Sequence, residues 1–415
     1  MMKINIFYFK KKKKLYIMDN IISHLPNSIN KLHKSLIVEK AKGSWVSCTD
    51  GKKYLDLTSG IGALSTGHSH PKIIEAIKKQ VDKYVHIPQQ VYGSHTTQIE
   101  LTKKMLSISP KNLDNIFFTN SGSESTDNAL KISRKYTGKK NIIAINKGFH
   151  GRSLGALSVT SSNLNCKLDS QPLIPGIFFC NSPKKNDLDL ILNFQSSPDD
   201  TACIILEPVL GEGGIYSIEE DFLKYVRKIC TEHNIVFIVD EVQCGIGRTG
   251  TWWNFEQKNI IPDMITFGKG IASGYPLAGI IGKSCIMNCG KSYLGGTYGG
   301  NAICSAAASA TISVIKEENL LENVCNMAEY FNKKIKKLKN FHKISEIRQY
   351  GLMIAIEMKN LNNISNIVTK LRDENILVLL AGNKNQFIRL LPSLNINITE
   401  LDFFLSKFDL ILESY

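Results

Sequence analysis

The sequence predicts an α/β protein: a large domain on a mainly parallel central sheet, plus a smaller α/β domain from the N- and C-terminal parts. Three observations carry this. From Ile116 onward, short apolar runs rich in β-branched residues alternate with helical patterns, as parallel strands joined by crossover helices do. Several runs end on a carboxylate, a glycine-rich turn or a lysine, and ligands of open α/β sheets sit beyond the carboxyl ends of strands. After Asn319 the composition turns lysine-rich and amphipathic, with short strands between helices. At 415 residues and 43% hydrophobic, the chain is long enough for two cores. The expected division is 18–69 and 306–415 for the smaller domain and 70–305 for the larger.

In chain order, Met1 to Ile17 holds six lysines and no acid. Its apolar stretch Ile4–Phe9 is too short for a secretory signal and precedes the lysines, the wrong order. These 17 residues read as a disordered or spurious extension, with Met18 as the working start. Glu39 to Leu57 reads as a β meander around the hairpin turn Asp50-Gly51. Ser59-Gly60-Ile61-Gly62 follows as a tight, backbone-permissive segment. Pro71 opens a helix through Val81, and another spans Gln98 to Ile108. The strands of the large sheet are Ile116–Thr119, Ile142–Asn146, Ala202–Glu207, Ile235–Asp240 and Met264–Phe267, with a further apolar run Leu277–Ile281. Helices fall at Glu124–Tyr136, Glu219–His233 and Ala302–Lys316. The C-terminal strands are Met353–Met358, Ile376–Leu380 and Phe387–Leu391.

Bulk composition narrows the function classes. The net charge of +14 falls to +8 without the lysine run, and no second basic block exists. That pattern reads as a solvated surface, so no nucleic-acid partner is expected. The ten cysteines are scattered without zinc spacing, which points to free thiols in a reducing compartment and to no metal. No apolar run is long enough to cross a bilayer, so no membrane partner is expected. The expected compartment is cytoplasmic, with the mitochondrial matrix left open.

The chemistry concentrates between Ile235 and Gly270. One strand ends on Asp240 and Glu241, and the next delivers Gly268-Lys269-Gly270. An acid and an amine at neighbouring strand ends suit pyridoxal phosphate, which needs a lysine for its Schiff base and an acidic partner for its ring nitrogen. Asn120-Ser121-Gly122-Ser123-Glu124, between a strand and a helix, forms an anion site or an ordinary N-cap. In Gly148-Phe149-His150-Gly151-Arg152, Phe149 suits ring stacking or core packing. His150 reads as a structural histidine, and Arg152 as a carboxylate binder or a surface residue. Glu207 ends a strand ahead of Gly211-Glu212-Gly213-Gly214. Thr297 lies in Gly295–Asn301, which has four glycines in seven positions. Arg389 alternates with apolar neighbours on a strand, so it must be paired or ligand-bound. Glu212 is its expected partner.

Together these residues resemble the class III (subgroup II) aminotransferases of fold type I pyridoxal-phosphate enzymes, from about Asp50 to Leu394. Asp240-Glu241-Val242-Gln243, Gly247-Arg248-Thr249-Gly250 and Lys269 match in residue and spacing. The resemblance implies that Lys269 carries the cofactor and shuttles a proton, while Asp240 keeps the ring nitrogen protonated. Phe149 and Val242 would pack on the two ring faces. Gly122, Ser123 and Gln243 would hold the phosphate, with Thr297 supplied by the partner in a homodimer. Arg152, Glu212 and Arg389 match the substrate-carboxylate system, and Glu207 a carboxylate lining the site. Glu212 would neutralise Arg389 for a monocarboxylate ω-amine and release it for 2-oxoglutarate or glutamate. Within the family the likeness is to 4-aminobutyrate aminotransferases. Ile61 sits where ornithine aminotransferases carry a tyrosine, which argues against ornithine. Alternatives are an acetylornithine-type donor, or an aminomutase or decarboxylase on the same scaffold.

Overall fold

Val236–Asp240 becomes the middle strand of a seven-stranded sheet. The computed structural model describes residues 36–415 except 169, 361 and 363, together with 24, 26, 28, 32 and 33. The expected extension 1–17 lies outside the described residues. Across the sheet the strands run Asn115–Thr119, Ala278–Gly282, Met264–Phe267, Val236–Asp240, Thr201–Leu206, Asn141–Ile145 and Ile177–Cys180. All run parallel except Ala278–Gly282, antiparallel to both neighbours. Its polarity follows from the link after Phe267: ten residues are too few for the crossover that a parallel return needs.

The expected strands all form, within one residue at their ends in this sheet. Both faces are covered, so every residue of Val236–Asp240 and of Thr201–Leu206 is buried. Each buried Ile, Val or Phe stabilises the sheet by about 1.5–3 kcal/mol. The edge strand Ile177–Cys180 and the helix Lys185–Phe194 were not foreseen, because four residues between turns carry too little periodicity to read.

Two four-stranded sheets accompany the large one. The N-terminal meander is present as Val38–Lys42, Trp45–Cys48 and Lys53–Asp56, and Ile376–Leu377 joins it in parallel, with Ile376 opposite Leu55. The other sheet orders Ile344–Tyr350, Met353–Met358, Phe387–Leu390 and Leu379–Ala381. Ile376–Leu380, expected as one strand, therefore splits: Ile376–Leu377 and Leu379–Ala381 belong to different sheets. A continuous apolar run hides such a switch, since both halves find apolar cover. Residues 38–415 form one compact unit. Six of the ten cysteines are buried as small core residues.

Candidate active site

The ends of Val236–Asp240 and Met264–Phe267 lie side by side, with Asp240 paired to Thr266. Extended Gly268 then carries the chain to Lys269, whose φ of 43° is left-handed. A non-glycine residue there costs about 1–3 kcal/mol and marks functional geometry. The strain sets Lys269 at the start of a short 3-10 turn, half-buried. Its side chain makes no hydrogen bond or ion pair among the described residues. Burial lowers its pKa and Arg389 adds to this, against the pull of Glu212, Glu207 and Asp240. A desolvated amine with reduced basicity is the nucleophile this chemistry needs. Val242 forms the adjoining wall. A Cβ on Gly122 would approach its Cγ1 to 2.8 Å, so only glycine fits at the helix start.

Asp240 and Glu241 part company at the strand end. Asp240 accepts from the Val242 amide at 3.0 Å and from His150 Nδ1 at 2.7 Å. A carboxylate can only accept, so the Nδ1 proton is on His150. Burial opposes charge on that ring, yet the hydrogen bond and the negative charges of Asp240 and Glu207 hold its pKa above the usual value. His150, which the sequence reading treated as structural, thus positions and electrostatically backs Asp240. A histidine next to a strand-end aromatic was the available signal. Glu207 accepts from the Phe149 amide at 2.8 Å and the Gly211 amide at 3.2 Å, tying two loops to one strand end. Burial, with Asp240 nearby, pushes its pKa to about 7.

Glu241 turns away from the crevice. It accepts from the Phe255 amide at 2.9 Å and lies 3.1 Å from the Cys244 thiol. Burial pushes its pKa up to about 7. A raised folded pKa means stability fully present below the unfolded value near 4.5 and lost as pH rises through 7. Glu241→Gln cannot ionise, so its stability relative to wild type should rise by about 3 kcal/mol between pH 4.5 and pH 7.5. Urea midpoints across that range measure it, and a constant difference between the two proteins would refute it.

The helix Gly122–Thr137 points its N-terminus at the crevice. Ser121 caps it, its hydroxyl accepting from Glu124 and its carbonyl from Ser125. The Gly122 and Ser123 amides precede the first intrahelical bond, so they are free for an anion. The Ser123 hydroxyl accepts from the amides of Arg152 and Ser153, at 3.0 and 2.9 Å. It therefore fastens the loop after Phe149 to the helix start. That places Arg152 at the helix-start end, its side chain exposed and without a contact to the Glu212–Arg389 pair among the described residues.

At the other end Arg389 is buried, and its Nη1 meets Glu212 Oε1 at 2.8 Å. Burial raises the pKa of Glu212, but Arg389, then Lys269 and Gln243, bring it below the ordinary value. Gln243, expected with the phosphate residues, packs beside Gly211, where any added Cβ would fall 2.0 Å from its Oε1. Ile61 is exposed within four consecutive left-handed residues, Ser59 to Gly62, with φ from 45° to 76°. The Asp56 carboxylate holds this turn through the Thr58 and Ser59 amides. A β-branched residue at such a φ is costly, so the turn is over-determined by its surroundings. Thr297 is exposed at a loop surface.

The donor set fits a phosphorylated pyridine aldehyde. Helix-start amides suit its phosphate, a buried carboxylate its ring nitrogen, and an unpaired, half-buried amine its aldehyde. Gln243 Oε1 is also buried without a partner among the described residues, as expected of a group awaiting a ligand. The family model for aminotransferase class-III matches residues 27–412. The chain belongs to the class III aminotransferases. It is a pyridoxal-phosphate-dependent transaminase of fold type I. It is 34% identical to the 5-aminovalerate aminotransferase DavT of Pseudomonas putida, over 93% of this chain and 95% of that protein. It is 37% identical to an acetylornithine aminotransferase of Methanocaldococcus jannaschii, over 90% and 92%. Among solved structures, a transaminase from the marine bacterium Virgibacillus superposes with a TM-score of 0.90 at 26% identity, covering 96% and 98% of the two chains. Ornithine aminotransferase from Toxoplasma gondii, with PLP at partial occupancy in its active site, gives 0.87 at 25% identity, covering 99% and 97%.

In this transaminase, pyridoxal phosphate supplies an aldehyde to capture an amine and an electron-withdrawing ring to acidify the adjacent carbon. The chain does the rest. Lys269 Nζ is the amine that would hold the aldehyde and carry the proton, Asp240 the carboxylate that would face the ring nitrogen, and Phe149 and Val242 the side chains that would bound the ring. No helix among the described residues is long and apolar enough to cross a membrane.

Proposed function

We propose that this class III aminotransferase moves an amino group from 4-aminobutyrate, or a similar ω-amino acid, to 2-oxoglutarate in two alternating half-reactions. The observation that carries this is the buried Arg389–Glu212 pair at 2.8 Å. Arg389 Nε is left without a partner among the described residues. A guanidinium with spare donors suits a substrate carboxylate, and Glu212 covers its charge when the donor has no carboxylate at that position. Relatives named 5-aminovalerate aminotransferase and probable 4-aminobutyrate aminotransferase, each 34% identical, support the donor class. The enzyme works as a homodimer in which the exposed Thr297 reaches the partner's phosphate site. The two smaller sheets form the small domain, and the compartment is the cytoplasm.

A second reading has equal support from likeness: acetylornithine aminotransferases are 35–37% identical. A donor panel separates them. The holoenzyme with 2-oxoglutarate should form glutamate from 4-aminobutyrate or 5-aminovalerate faster than from N-acetylornithine. Glutamate formed only from N-acetylornithine would replace the first reading with the second. Glu212→Gln should lower kcat/KM for the ω-amino donor by at least about tenfold, because it leaves Arg389 charged and uncovered. The glutamate half-reaction should change much less.

A further inference from the structure

The Glu212 switch needs its loop held still, and the chain has a second buried arginine where that hold is made. The loop Gly211–Ile215 links the short strands Val209–Leu210 and Tyr216–Ser217. It lies against one face of the C-terminal sheet. On that face Arg348 stands opposite Ala355, and Ala355 opposite Arg389. The two arginines therefore share one row across three strands, with only a methyl group between them. The next row contains Glu346, Glu357 and Phe387.

Each arginine holds one end of the loop. Arg389 Nη1 lies 3.4 Å from the Gly211 carbonyl and 2.8 Å from the Glu212 carboxylate. Arg348 Nε donates to the Gly214 carbonyl at 2.8 Å. The Arg348 guanidinium carbon is 4.2 Å from the Tyr216 ring centroid and 4.3 Å from that of Phe387, and its Nη1 pairs with Glu346 and Glu357. Between the two ends, the Glu212 carbonyl accepts from the Gly382 amide at 2.9 Å. The φ of Gly214 is 117°, and a Cβ there would come within 2.5 Å of Phe387.

We infer that Arg348 is a positioning residue for the donor–acceptor switch: it clamps the Gly211–Gly214 loop so that Glu212 changes partners by moving its side chain alone. The inference rests on the proposed role of Glu212 and Arg389. Arg348 bonds the loop backbone, Glu346 and Glu357, and makes no hydrogen bond to Glu212 or Arg389 among the described residues. With the loop clamped, Glu212 returns to Arg389 at little entropic cost. With the clamp gone, the pair forms less readily, and the half-reaction that needs Arg389 covered suffers selectively.

The test is single-turnover kinetics of each half-reaction on the holoenzyme, in wild type, Arg348→Met, Arg348→Lys and Glu212→Gln. Arg348→Met should lower kcat/KM for the ω-amino donor by about tenfold, the weight of one charge-assisted hydrogen bond. It should act mostly through KM, leaving the glutamate half-reaction within about threefold and the bound cofactor's absorbance unchanged. Arg348→Lys keeps a charge for Glu346 and Glu357 but cannot also reach Gly214, so it should show the same split. It also serves if the methionine variant does not fold. An equal fall in both half-reactions, or a lysine variant indistinguishable from wild type, would overturn the inference. If Glu212→Gln itself produces no split, the switch has failed rather than the clamp.

Discussion

Lys269→Ala is expected to cut transamination by about 10^2- to 10^4-fold, the range general acid–base catalysis supplies. Lys269 combines three properties that no neighbour duplicates in the described site. Its amine is half-buried and held by no hydrogen bond or ion pair from the protein among the described residues. Its pKa is lowered by burial, which favours the neutral amine. Its left-handed backbone sets it at the strand end within reach of the charges of Glu212, Glu207 and Asp240. The helix-start amides and Asp240 remain in the variant, so the cofactor should still bind, without the visible band that attachment to Lys269 produces. Stopped-flow absorbance with 4-aminobutyrate measures the loss. A variant within tenfold of wild type would remove Lys269 from the proton path.

Asp240→Asn is the next largest expected effect, about 10^3-fold in kcat. The carboxylate is buried, and its Oδ2 is engaged by His150 while Oδ1 takes the Val242 amide. An asparagine keeps the shape and loses the charge. It also turns an amide toward either His150 or the ring nitrogen, a donor facing a donor in one of the two orientations. Both half-reactions should slow together, in contrast to the split expected for Glu212→Gln, because the ring serves both. The pH profile should change as well, since His150 loses the negative charge that holds its pKa up. An unchanged profile with full activity would show that the ring nitrogen draws its proton from elsewhere.

The strand-end carboxylates show how far the primary structure could be read. Asp240, Glu241 and Lys269 were legible because an apolar β-branched run has one buried register, and a ligand crevice lies beyond its end. Which carboxylate faces the crevice was not legible. Adjacent side chains point to opposite sides, so one meets His150 and the other ties Phe255 and Cys244, at 2.9 and 3.1 Å. His150 was missed for a related reason: its partner Asp240 is 90 residues away, and no local pattern records such a contact.

Chain order and chemistry by themselves determined the parallel sheet, the helix start after Thr119 and the placing of an acid and an amine at neighbouring strand ends. Each depends on periodicity or on spacing within a few residues, which local sterics and hydrogen bonding enforce. Only the tertiary structure decided that Gln243 packs at Gly211, that Arg152 is fastened beside Ser123, and that Ile376–Leu380 divides between two sheets. It alone set Arg348 and Arg389 in one row over the Glu212 loop, a juxtaposition of residues more than 130 positions apart. Long-range register is fixed by how whole faces pack, and that information is spread over every residue of the face.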